Sequence, residues 1–207
     1  MNKSVGSQRP ATQVTGLILA GGLGRRMSHD GQGMDKALQA FAGRPLVEHV
    51  ITRFAPQVDQ LIINANRNSD AYKRYGYRVV SDTVEGFAGP LAGLLAGLSA
   101  CSTRLLASVP CDSPFLPTDL VARLAAALDQ SGAQVAVARS GAQAHPVFLL
   151  VDRAVAPGLK TFLEAGRRKI DAWYASLQTV EVDFADEAAF RNINTREELQ
   201  RYESEPQ

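Results

Sequence analysis

Residues 14–26 read VTGLILAGGLGRR, and this passage decides the fold. Val14 to Ala20 is a short apolar run, the mark of a strand buried on both faces. It breaks at once into Gly21-Gly22-Leu23-Gly24, too rich in glycine for a helix interior, and Arg25 and Arg26 follow. Backbone N–H groups in such a loop approach phosphate oxygens closely because no Cβ intervenes. Arg25, Arg26 and, further on, Lys36 would add full charges suited to a triphosphate. A purely structural turn is the other reading of the same glycines.

Outward from this passage the chain alternates strands with helices. Lys36 to Phe41 reads as a short extended piece, followed by a turn at Ala42-Gly43-Arg44-Pro45. Leu46, Val47, Val50, Ile51 and Phe54 recur at helical spacing. Gln60 to Asn64 and Tyr77 to Ser81 read as strands, Pro90 to Ala100 as a small-residue helix. Thr103 to Pro110 reads as a strand ending in Cys111-Asp112. Thr118 is expected to cap a helix carrying Leu120, Val121, Leu124 and Leu128. Strands are predicted at Gln134 to Ala138, Pro146 to Val151 and Val180 to Phe184, with one helical stretch over Pro157 to Leu177. Thr195-Arg196-Glu197-Glu198 has the spacing of a capping box opening a terminal helix.

Residues 1–13 read as a disordered tail and 14–207 as a single domain. The expected fold class is α/β: a three-layer α/β/α sandwich around a mostly parallel, Rossmann-like sheet. Ligands in such sheets gather at the carboxyl ends of strands, near a topological switch point. Four polar strand ends then share one edge: the glycine loop, Asn64-Ala65-Asn66, Asp82 and Asp112.

Composition narrows the function. A net charge of +1 across 207 residues gives no global field for nucleic acid or an anionic membrane. Two cysteines, Cys101 and Cys111, make neither a disulfide framework nor a zinc site, and they suit a reducing, cytoplasmic setting. No stretch has the length of a membrane span. The dinucleotide fingerprint G-x-G-x-x-G fails because Met27 stands where its third glycine belongs, and the P-loop pattern is absent.

Leu19-Ala20-Gly21-Gly22, then Arg25-Arg26-Met27 and Asp35-Lys36, resemble the signature of molybdenum cofactor guanylyltransferases within the NTP-transferase superfamily. Further matches follow in order: Asn64-Ala65-Asn66-Arg67, Gly89-Pro90-Leu91-Ala92-Gly93, Pro110-Cys111-Asp112-Ser113-Pro114, His145-Pro146 and Asn192-Ile193-Asn194-Thr195. The chain departs from the family in Ser28 to Met34, about four residues longer than the usual linker, a length that surface loops tolerate. The resemblance implies transfer of GMP from GTP to the phosphate of molybdopterin with release of pyrophosphate. It also implies a Mg²⁺ cofactor and cofactor-biosynthesis proteins or molybdoenzyme chaperones as partners. Cytidylyl or uridylyl transfer to a related cofactor or a sugar phosphate is the alternative.

By the same resemblance Leu19, Ala20, Gly21 and Gly22 line the nucleotide pocket, Lys36 and Arg26 neutralise the triphosphate, and Asp112 holds the metal, a structural cap being the other reading of Asp112. Asn64 is assigned to base or ribose, with local backbone bonding as its other reading. Asp82 either contacts the nucleotide or caps a turn. His145, Asn192 and Asn194 are the acceptor candidates. Asn192 and Asn194 alternate on an extended piece; each also reads as a loop fastening, and His145 as a packed or surface residue. Arg167-Arg168-Lys169 reads as a solvated helix face or as an acceptor-phosphate or partner-docking patch, and Trp173, Tyr174 and Phe162 as core. Cys111 reads as a small buried hydrophobe. No general base is expected, because a phosphate monoester with a second pKa of about 6 is already largely dianionic at neutral pH.

Overall fold

Val14–Leu19 forms β1, and every one of its residues except Leu19 is buried. Its even positions, Val14, Ile18 and the following Ala20, join one core, whereas Leu17 and Leu19 join the other. That is the period of two expected of a strand covered on both faces. The computed structural model describes residues 13–21, 35–84 and 89–204. Gly22, Arg25, Arg26, the 28–34 segment and nearly all of the expected tail lie outside the described residues.

The described chain resumes in a 3-10 turn at Lys36–Leu38, then a hairpin of β2 (Ala40–Phe41) and β3 (Arg44–Pro45). The extended piece expected over 36–41 is therefore half turn, because Asp35 caps it by accepting the Ala37 N–H. There follow α1 (Leu46–Phe54), β4 (Gln60–Asn64), α2 (Ser69–Lys73), β5 (Arg78–Val80), α3 (Pro90–Ala100), β6 (Leu105–Pro110), α4 (Leu120–Ser131), β7 (Val135–Ser140) and β8 (Gln143–Asp152). The chain ends with α5 (Ala156–Glu164), α6 (Ile170–Tyr174), β9 (Thr179–Asp183) and α7 (Arg196–Ser204).

The seven-stranded sheet runs β5-β4-β1-β6-β8-β7-β9. Only β8 is antiparallel to its neighbours β6 and β7; the other four pairings are parallel. Helices α1 and α4 cover one face, and α3, α5 and α6 the other. The three layers and the mostly parallel sheet are those the pattern implies. From β1 the chain steps outward to β4 and β5, then crosses back to β6 on the other side of β1. The switch point therefore lies between β1 and β6, where Leu19 is level with both Asn64 and Pro110.

Helix α3 lies unusually close to the sheet. A Cβ at Gly97 would fall 2.5 Å from Leu17 Cδ2, and one at Gly93 2.7 Å from Leu19 Cδ2. The small residues of this segment are thus there for packing, not for flexibility.

Three local expectations are corrected. Asp119, not Thr118, occupies the cap position of α4, and its side chain makes no capping bond. The stretch from Pro157 to Leu177 breaks into α5 and α6 because Gly166 adopts a left-handed φ of 75°. Arg167, Arg168 and Lys169 fall in that break rather than on a helix face, all three exposed, with Arg167 lying 4.2 Å over the Phe162 ring. The short helix α2 carries too few apolar positions to register as periodic. At the C-terminus the capping box forms as read: Glu198 N–H donates to Thr195 Oγ1 at 3.1 Å and Thr195 N–H to Glu198 Oε2 at 3.2 Å.

Candidate active site at the switch point

The end of β1 turns away from the sheet only after Ala20 N–H has bonded Asn64 O and Leu19 O has accepted the Cys111 N–H. These two bonds carry the ladder past the strand ends and hold Ala20, Asn64 and Cys111-Asp112 at one level. Asn64, 2% exposed, donates from Nδ2 to Asp82 Oδ1 at 2.9 Å and to Val80 O at 3.3 Å. Asn66 Nδ2 donates to the other Asp82 oxygen at 2.8 Å, and Asp82 N–H returns a bond to Asn66 Oδ1. Asp82 therefore orders two asparagines, and local bonding accounts for the amide donors of Asn64. The close fit extends to two glycines. A Cβ at Gly21 would lie 3.1 Å from Asn64 Oδ1, and one at Gly93 2.3 Å from the same atom.

Across the switch point Lys36 and Asp112 meet. The Lys36 ammonium donates to Asp112 Oδ2 and, at 2.7 Å, to Asn194 Oδ1; both charged side chains are 15% exposed. The aim of Lys36 is set from behind. Asp35 accepts from Ala37 N–H, from Asn68 Nδ2 at 3.0 Å and from the Tyr72 hydroxyl at 2.7 Å. Tyr72 is fully buried, and burial first of all keeps its phenol protonated and donating. Asp35, quoted in the sequence only as the neighbour of Lys36, is thus the anchor of its loop. A carboxylate just before a turn is the signal that points to it.

Asp112 Oδ1 is buried and takes no hydrogen bond among the described residues. An orphaned carboxylate oxygen is costly unless something positive completes it. Among the described residues no group of three or more His, Cys, Asp or Glu side chains gathers as a metal cage. A hard cation here would lean on one carboxylate and on substrate phosphates, the arrangement Mg²⁺ accepts, so the residues fit such an ion. Beside it, burial, then the Asp112 charge, push the Cys111 thiol well above its usual range. Cys111 is no nucleophile at neutral pH.

The acceptor candidates divide. Asn192 and His145 line a cavity of about 840 Å³ with Pro110, Pro146, Phe148 and Phe190. The His145 ring stacks on Phe190 at 4.3 Å, and its Nε2 lies 2.7 Å from Ser140 Oγ. Burial lowers its pKa, so the ring is neutral at pH 7. Asn192 Oδ1 accepts from the fully buried Ser113 at 2.6 Å. Asn194 turns to Lys36 instead. The 192–194 segment pairs with no strand, so nothing imposes a shared face on alternate residues.

The family model described as "MobA-like NTP transferase domain" matches residues 16–180. The chain belongs to that family. The transferase is 52% identical over 201 residues to the molybdenum cofactor guanylyltransferase of Ralstonia nicotianae, covering 93% of this chain and 97% of that one. It is 46% identical to the enzyme of the same name from Shewanella pealeana, covering 92% and 94%. Among solved structures it resembles molybdopterin-guanine dinucleotide biosynthesis protein A from Archaeoglobus fulgidus, with a TM-score of 0.75 and 25% identity over 91% of this chain and 96% of that one. The fold is therefore that of nucleotidyltransferases, and the transferase acts on a nucleotide substrate. Among its described residues no helix is long and apolar enough to cross a membrane.

Proposed function

We propose that the transferase moves GMP from GTP to the terminal phosphate of molybdopterin, forming the guanine dinucleotide cofactor in the cytoplasm. An oxygen of the acceptor phosphate bonds to the α-phosphorus of GTP, the bond from that phosphorus to the β-phosphate bridging oxygen breaks, and pyrophosphate leaves. The acceptor is already an anionic nucleophile, so what the chain must supply is in-line placement and charge neutralisation. The observation that carries this reading is Lys36 meeting Asp112 at the switch point, just past Pro110, which lines the cavity.

Leu19, Ala20 and Gly21 line the nucleotide together with Gly22, which lies outside the described residues, and Asn64 and Asp82 form the polar platform for ribose or base. Lys36 and Arg26 balance the triphosphate, although Arg26 lies outside the described residues. Asp112 would hold Mg²⁺ through Oδ1; when bound, that ion neutralises the developing charge on the phosphates. The cavity receives the pterin end of the acceptor: His145 offers a stacked, neutral ring and Asn192 its amide, whereas Asn194, the third acceptor candidate, bonds Lys36.

The test is binding of GTP, ATP, CTP and UTP with and without Mg²⁺, alongside Asp112→Ala, followed by turnover with molybdopterin. GTP preference that weakens in the variant is the expected result. Preference for CTP or UTP would transfer the reading to pyrimidine nucleotidyl transfer, and no nucleotide binding would leave the glycine loop merely structural.

A further inference from the structure

Asn194 is fastened far more firmly than an adaptable ligand contact requires. Its backbone N–H donates to Glu198 Oε2 at 2.6 Å, and the same carboxylate closes the capping box of α7 with Thr195. The preceding Ile193 is fully buried among Phe41, Leu46 and Tyr202, and its N–H donates to Asp112 O at 2.9 Å. Helix cap, apolar anchor and strand-end carbonyl thus hold one backbone segment, and its product is a single amide oxygen 2.7 Å from the Lys36 ammonium. A lysine side chain is a flexible stem carrying three donors. With one carboxylate as its only partner, the ammonium would visit both carboxylate oxygens.

We propose that Asn194 is a positioning residue for Lys36. Its oxygen, set by Glu198 and Ile193, keeps the ammonium on the Oδ2 side of Asp112 and leaves the buried Oδ1, which has no hydrogen-bond partner among the described residues, to a cation. The inference rests on the nucleotidyl-transfer reading and deepens it: Asn194 acts on the nucleotide half of the reaction, before any acceptor binds. The tail of the chain, through the cap of its last helix, then sets the charge geometry at the switch point.

The test is Mn²⁺ titration by electron paramagnetic resonance of the full chain with GTP and no acceptor present. Asn194→Ala is expected to weaken Mn²⁺·GTP binding on the order of tenfold, the scale of one charge-assisted hydrogen bond. Glu198→Ala weakens it in the same direction, and Glu198→Gln, which keeps an accepting oxygen, recovers most of the loss. Asn194→Ala binding Mn²⁺·GTP like the wild type, while Asp112→Asn does not, would overturn the inference and leave the parent reading intact. Asp112→Asn binding normally would overturn the metal reading and this inference with it. Should Asn194→Ala not fold, judged by circular dichroism, the two Glu198 variants make the same comparison.

Discussion

Gly93 shows how one missing Cβ shapes the site. On an exposed helix, glycine to alanine gains about 1 kcal/mol of helix propensity. Here the added carbon would meet Asn64 Oδ1 at 2.3 Å, and Asn64 is pinned by Val80 and Asp82. Overpacking of about 1–3 kcal/mol outweighs the gain. Gly93→Ala is therefore expected to lower the melting temperature and to weaken GTP binding together, measured by calorimetry and titration. His145 offers a second residue-scale check. Burial lowers its pKa from the ordinary 6.5, so the unfolded chain binds the proton more tightly than the folded one. Its contribution to stability is whole above about pH 6.5 and shrinks as pH falls through and below that value. His145→Gln should flatten that part of the stability–pH curve in urea titrations; an unchanged slope would assign it to other groups.

Among the elements, α7 acts on the site through its cap, since Glu198 holds both Thr195 and Asn194. Thr195 accepts from Glu198 N–H, so Thr195→Ala removes one half of the box. A lost N-cap costs about 1 kcal/mol, which for a chain of this size lowers the melting temperature by about 2–4 °C. The box was legible from four residues of sequence because both of its bonds are local. The break between α5 and α6 was not: apolar spacing continues across it, and only the left-handed Gly166 ends the helix. β8 was legible as a strand but not as an antiparallel one. Its direction follows from the tight turn at Gly141, φ 53°, that joins it to β7 as a hairpin.

At the scale of the molecule, the described residues pack on the two faces of the seven-stranded sheet as separate cores. The chain's single tryptophan, Trp173, is 2% exposed in the core beneath α3, α5 and α6, the face that does not contain α1 and α4. β1 contributes alternate residues to both cores, so losing one face strips cover from strands the other needs. Urea unfolding followed by Trp173 emission and by far-ultraviolet circular dichroism should give coincident transitions. Separate midpoints would show that the two faces melt independently.

Sequence alone determined the buried first strand, the alternation of strands with helices apart from α2 and the α5–α6 break, the family resemblance, and the four polar strand ends carrying Gly21, Asn64, Asp82 and Asp112. Each depends on periodicity or on residues adjacent in the chain. Tertiary structure decided which of those ends touch: Asp82 with Asn64 and Asn66, and Lys36 with Asp112. It also separated Asn194 from Asn192, sending one to Lys36 and the other to Ser113. Contacts spanning 76 and 158 residues leave no mark on local spacing; they exist only because the sheet's crossover brings β6 beside β1 and the Ile193 anchor draws the chain's end back to them.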